Sequence, residues 1–118
     1  MLYPTILTNV RNDMKVMCEE VFAPVMSIVP FSSFDEVIRE VNSTPFGLAC
    51  GVFTQDVTRA MKATRELHVG VVHINESSSS RVDLVPFGGV KDSGLGREGP
   101  RYAMQEMTEE RLITISMS

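Results

Sequence analysis

Residues 25–74 pass twice from strand to helix periodicity and back, and that alternation restricts the fold more than any other feature of the chain. Val25 to Phe31 is nearly all apolar or small, as in a strand covered on both faces. Phe34, Val37, Ile38 and Val41 then recur at i, i+3, i+4 and i+7, the apolar stripe of a helix. Ser33 with Glu36 has the spacing of a capping box, and Ser32 with Asp35 competes one step earlier. Asn42-Ser43-Thr44-Pro45 ends this helix, because proline disfavours helical backbone in the residue before it. Ala49 to Thr54 reads as a second buried strand. Asp56 is placed to cap a second helix, with a stripe of Val57, Ala60, Met61, Thr64 and Leu67. Gly70 closes that connection, and Val71 to Ile74 forms a third strand that stops at Asn75. The pattern predicts an α/β fold with a parallel βαβαβ core and right-handed crossovers. Ligands of such sheets bind beyond the carboxyl ends of the strands, where the loop after Asn75 departs.

The flanks add shorter elements. Pro4 to Leu7 reads as a short strand, Asn9 to Asp13 as a turn, Met14 to Met17 as a helical turn, and Cys18 to Phe22 as extended. Further on, four of the eight glycines fall between Gly88 and Gly96, inside the stretch from Pro86 to Glu98. Such density marks backbone that takes positive φ or approaches another group closely. Gly99-Pro100 opens a last helix, Arg101 to Met107, and Arg111 to Met117 alternates like a strand at a chain end.

Composition excludes several classes. At 43% hydrophobic and 22% charged, the 118 residues suit one globular core rather than disorder. A net charge of −4 with scattered basic residues argues against nucleic acid. No apolar run nears the length of a membrane helix, and the N-terminus lacks a secretory pattern. Cys18 and Cys50 lack metal-ligand spacing, and so do His68 and His73; His73 alternates along a strand, as a satisfied half-buried histidine does. The expected location is cytoplasmic, with reduced thiols and no metal.

Several short motifs occur in an order that resembles the aldehyde dehydrogenase superfamily. They are Glu19-Glu20-Val21-Phe22-Ala23-Pro24-Val25, Pro45-Phe46-Gly47-Leu48-Ala49, Val52-Phe53-Thr54, Gly70-Val71-Val72-His73-Ile74-Asn75 and the glycine stretch. The loop from Asn75 to Ser78 and the helix from Tyr102 to Glu109 look closest to the lactaldehyde and glyceraldehyde-phosphate type branch. The resemblance implies oxidation of an aldehyde to a carboxylate with NAD or NADP. It also implies a chain that resembles only the C-terminal part of such enzymes. On that reading residues 1–108 are the end of the catalytic domain and 109–118 an oligomerisation strand joining a homo-oligomer. The cofactor would be bound mainly by the missing N-terminal domain. Neither cysteine sits in the context of the family's nucleophile, so no catalytic residue is expected here and the isolated chain is predicted inactive.

The resemblance assigns roles residue by residue. Glu20 matches the carboxylate that grips the nicotinamide ribose, with a solvated surface glutamate as the plain alternative. Phe22 matches a ring near the nicotinamide, against a plain core phenylalanine. Phe87 matches a position lining the aldehyde tunnel, against packing on the sheet. Arg81 could pair with an anionic group of the substrate, or be a solvated arginine or a partner of Asp83. Arg97 and Glu109 match charged positions near the subunit interface; their pairing would need the last helix to fold back on the glycine stretch. Lys91 and Glu98 would belong to the same charged framework. A different reading makes the chain a non-catalytic assembly module or a truncated gene product.

Overall fold

A computed structural model describes residues 1–117; Ser118, at the end of the expected 109–118 strand, lies outside the described residues. The chain forms two compact units, one of residues 1–45 and 54–68 and the other of residues 46–53 and 69–118.

The first unit begins with β1 (Thr5–Leu7), α1 (Lys15–Cys18) and β2 (Val25–Ser27). β1 and β2 pair in parallel, with Ile6 opposite Met26. β2 is shorter than its apolar run, and only one side of it is covered: Met26 and Ile28 are exposed while Val25, Ser27 and Val29 are half-buried. The expectation of a strand covered on both faces therefore fails, because no second layer of the described chain lies over the Met26 side.

α2 (Phe34–Ser43) starts as its sequence dictates. Ser33 Oγ accepts from Glu36 N–H at 3.2 Å, and Glu36 Oε2 accepts from the N–H groups of Ser33 and Ser32 at 3.3 and 2.7 Å. These bonds satisfy donors that a helix start leaves unpaired. Asp56 caps α3 (Val57–Glu66) by accepting from Thr58 and Arg59 N–H. Asn42 of α2 finishes α3: its Nδ2 donates to Glu66 O and its Oδ1 accepts from His68 N–H, each at 2.7 Å. Ile38 of α2 and Ala63 of α3 are the buried apolar side chains of this unit. The predicted α3 stripe is corrected here. Val57, Met61 and Thr64 face solvent, and the inner face runs through Ala60, Ala63 and Leu67. Small alanines let helix backbones come close, whereas periodicity gives weight to bulk.

The second unit holds β3 (Ala49–Val52) and β4 (Val71–Ile74), paired in parallel with Gly51 opposite His73. The α/β class with parallel strands is thus as expected, but the ladders join β1 to β2 and β3 to β4 rather than running through one three-stranded sheet. β4 ends at Asn75, whose φ of 58° turns the chain out of the strand. α4 (Pro100–Glu106) follows a glycine at φ 122° and carries proline at its start. No strand forms between residues 109 and 117, where Leu112, Ile113, Ile115 and Met117 are exposed. A strand needs a partner, and the described residues offer this segment none. No helix of the described residues is long and apolar enough to cross a membrane.

Candidate functional site

The glycine stretch is anchored where its glycines allow backbone to meet backbone. A Cβ on Gly70, just before β4, would overlap the Gly88 carbonyl. Val90 N–H donates to Gly47 O at 2.9 Å, and Gly47 N–H donates to Ser93 Oγ at 2.8 Å. Those contacts tie both ends of a single 3-10 turn, Lys91–Ser93, to the loop before β3.

Around this anchor, Phe87 and Glu98 close the stretch as an antiparallel bridge. Phe87 N–H donates to Glu98 O at 3.1 Å, and Glu98 N–H donates to Phe87 O at 2.6 Å. Arg81 spans the side chains of the pair. Its guanidinium carbon lies 4.6 Å from the Phe87 ring centroid, and its Nη2 donates to Glu98 Oε2 at 2.9 Å. Asp83 approaches Arg81 Nε only to 3.8 Å. Of the alternatives open for Arg81, neither a purely solvated side chain nor Asp83 as main partner describes this geometry. Glu98 is the partner that spacing did not reveal; the signal was its register opposite Phe87, visible only once the bridge closes.

Arg97 and Glu109 are not brought together. Arg97 Nη1 donates to Gly89 O at 3.1 Å and Gly96 O at 2.7 Å, bracing the glycine stretch from within. The carboxylate that returns from the last helix is that of Glu106, which accepts from Arg97 N–H at 3.4 Å. Glu109 lies one helical turn too far, beyond the end of α4, and is exposed.

Glu20 and Phe22 belong to the first unit. The Glu20 carboxylate is exposed and makes no ion pair or hydrogen bond among the described residues, whereas Glu19 pairs loosely with Lys15 at 3.9 Å. The segment is not simply extended. Cys18 ends α1, and Ala23 N–H donates to Val21 O, so Phe22 sits at the apex of a three-residue turn. Its ring is 94% exposed, which removes the core reading. A free carboxylate can accept from paired hydroxyls, and an open aromatic face can flank a flat ring.

Both thiols donate to main-chain carbonyls. Cys18 Sγ is 2.9 Å from Asn12 O and Cys50 Sγ is 3.9 Å from Gly51 O. Partial burial pushes the Cys50 thiol up from its ordinary value, away from a reactive thiolate. His73 is half-buried in β4, but its buried Nε2 has no hydrogen-bond partner among the described residues, so it is not the satisfied histidine expected. No cluster of metal-ligating side chains occurs among the described residues.

Residues 1–113 match the aldehyde dehydrogenase family. The chain belongs to this family. It is 54% identical over 114 residues to a 3-sulfolactaldehyde dehydrogenase of Priestia aryabhattai, covering 97% of this chain and 24% of that one. It is 46% identical to a 4-trimethylaminobutyraldehyde dehydrogenase of Mus musculus, covering 97% of this chain and 23% of that one. Among solved structures, this chain resembles a glyceraldehyde-3-phosphate dehydrogenase of Methanocaldococcus jannaschii complexed with NADP. The TM-score is 0.84 at 48% identity, with 91% of this chain and 23% of that chain covered. The chain spans about a quarter of the length of the curated relatives it matches.

Proposed function

We propose that this chain is the C-terminal quarter of an NAD(P)-dependent aldehyde dehydrogenase, supplying cofactor and substrate contacts while the nucleophile lies on a segment outside it. The observation that carries this reading is the match over residues 1–113 to relatives of which the chain spans only 24%. The exposed apolar residues Met26, Ile28 and Phe22 support it, since a chain that buried its own core would cover them. So does the state of the two thiols, both engaged with carbonyls.

In the assembled enzyme Glu20 would hold the nicotinamide ribose through its hydroxyls, and Phe22 would flank the nicotinamide and keep water from it. NAD(P), when bound, supplies a hydride acceptor for aldehyde oxidation. Phe87, fixed by Pro86 and by its bridge to Glu98, forms one wall of the aldehyde tunnel, with Arg81 at its rim. Arg97 holds the glycine stretch in shape rather than touching substrate. Residues 109–117 pair with a strand of another subunit, which would cover Leu112, Ile113 and Ile115. The expected cytoplasmic location accords with two free thiols.

Replacing Glu20 by Gln in the assembled enzyme tests the cofactor assignment. The expected result is a KM for NAD(P) raised about tenfold, the order of one charged hydrogen bond lost, with the KM for aldehyde unchanged. An unchanged KM for NAD(P) would remove Glu20 from the site.

A further inference from the structure

α2 ends on an unpaired acid. A helix C-terminus is the negative end of its dipole and favours cations, yet the last turn of α2 holds no basic residue and carries Glu40 instead. Glu40 is half-buried, and its carboxylate has no ion pair or hydrogen bond among the described residues. It lines a cavity of about 360 Å³ that lies wholly within the first unit. The other walls are chiefly apolar, formed by Met17, Val29, Val37, Val41 and Pro45. The nearby hydroxyls are turned away to the helix end: Ser43 Oγ donates to Glu40 O at 2.7 Å and Thr44 Oγ1 to Val41 O at 3.1 Å. The cavity thus presents an apolar bowl with one negative charge left to satisfy.

We infer that this cavity is a binding site for a small primary amine, an ammonium on a short aliphatic stem, with Glu40 as its counter-ion. The volume lies within the range of small-molecule sites, about 300 to 1,000 Å³. Chemistry decides between ligands. An anion is repelled both by Glu40 and by the carbonyl end of α2. A neutral alkane stem suits the walls but strips water from the carboxylate without replacing it. A quaternary ammonium has no N–H to give, and no aromatic ring lines the cavity to receive its charge. A metal ion lacks ligands, since no cluster of metal-ligating side chains occurs among the described residues. A primary ammonium carries three donors, places one on the Glu40 carboxylate in a charge-assisted bond, and lays its stem against the valines. Asn12 also lines the cavity, and its side-chain amide has no partner among the described residues, so its oxygen can take a second donor.

The test uses the full 118-residue chain, with the thiol of Cys18 as a reporter in the cavity wall. Alkylation of Cys18 by iodoacetamide is followed by mass spectrometry at constant ionic strength while n-butylammonium is added. The rate should fall severalfold and then level off. Butanol keeps the stem without the charge, and tetramethylammonium keeps the charge without a donor; each should need about tenfold more to protect, the order of one charged hydrogen bond. Glu40→Gln should raise the half-protecting concentration of n-butylammonium by the same factor of about ten. It takes an acid from a helix C-terminus, so the thermal midpoint should not fall. Glu19→Gln removes the charge next to Cys18 in sequence and should leave protection as in the parent chain. Equal protection by all three probes would overturn the proposal, as would an undiminished effect in Glu40→Gln or an equal loss in Glu19→Gln. Neither cofactor nor aldehyde enters the measurement, so the result stands apart from whether the chain completes a dehydrogenase.

Discussion

Phe87 and Glu98 exchange both of their main-chain hydrogen bonds, which places their side chains together under one guanidinium, that of Arg81. Eleven positions separate the two in sequence, and the intervening glycines fold out as the anchored loop. The two main-chain bonds close the bridge without the exposed ion pair above it. A double-mutant cycle on Arg81 and Glu98, read by chemical denaturation, should give a coupling below about 1 kcal/mol. A coupling of several kcal/mol would make the pair a structural clamp instead.

Two glycine substitutions should separate close approach from backbone strain. Gly70→Ala drives a methyl into the Gly88 carbonyl, so β4 and the glycine stretch must part. The expected loss is about 3 kcal/mol or more, the scale of overpacked sites. Gly94→Ala meets nothing within 4 Å and suffers only from its φ of 142°. Its cost should be about 1–2 kcal/mol. Thermal denaturation of the two variants decides, and equal losses would contradict the contact at Gly70.

The two thiols should react at very different rates. Cys18 is exposed, whereas Cys50 lies within β3 with its thiol pushed up by burial. Alkylation at neutral pH followed by mass spectrometry should label Cys18 first, with Cys50 slower by about tenfold or more. Rapid labelling of Cys50 would mean that β3 opens readily.

Lys62 of α3 donates to Asp35 of α2, and the bond holds the Asp35 carboxyl below its ordinary 3.8 and Lys62 above its ordinary 10.5. Asp35 with a lowered folded value contributes stability above pH 3.8, lost as pH falls through the lowered value. Lys62 with a raised value contributes below pH 10.5, lost as pH rises through the raised value. The pair is exposed, so the effect is small and screened by salt. Melting curves of the parent chain and Asp35→Asn should converge at both pH extremes and differ most between them. A gap that persists below pH 3 would indicate a role for Asp35 other than this ion pair.

What could be read from the sequence was local. The capping box of Ser33 and Glu36, the Asp56 cap and the strand Val71–Ile74 each depend on a few neighbouring residues, and each formed as expected. What depended on partners was not legible. Val25–Phe31 looks like a doubly covered strand because its residues would suit that place, yet the described chain covers one side. Residues 111–117 alternate like a strand, with nothing among the described residues to pair with. Arg97 and Glu109 match charged positions near a subunit interface, and their pairing would need the last helix to fold back on the glycine stretch. The Arg97 backbone meets Glu106 instead of Glu109 because α4 ends before the latter, a boundary that composition does not mark. Arg81 was singled out, but its partner Glu98 emerged only from the register of the bridge.

We propose that this chain supplies part of an aldehyde dehydrogenase and does not reduce NAD(P) by itself. Complementation tests this most directly. The chain is mixed or co-expressed with the remaining N-terminal portion of the 3-sulfolactaldehyde dehydrogenase to which it is 54% identical, and NAD(P) reduction is followed with an aldehyde. Neither part alone should reduce the cofactor, and the two together should. Reduction by the chain alone, or a soluble complex of the two parts that stays inactive, would contradict the account.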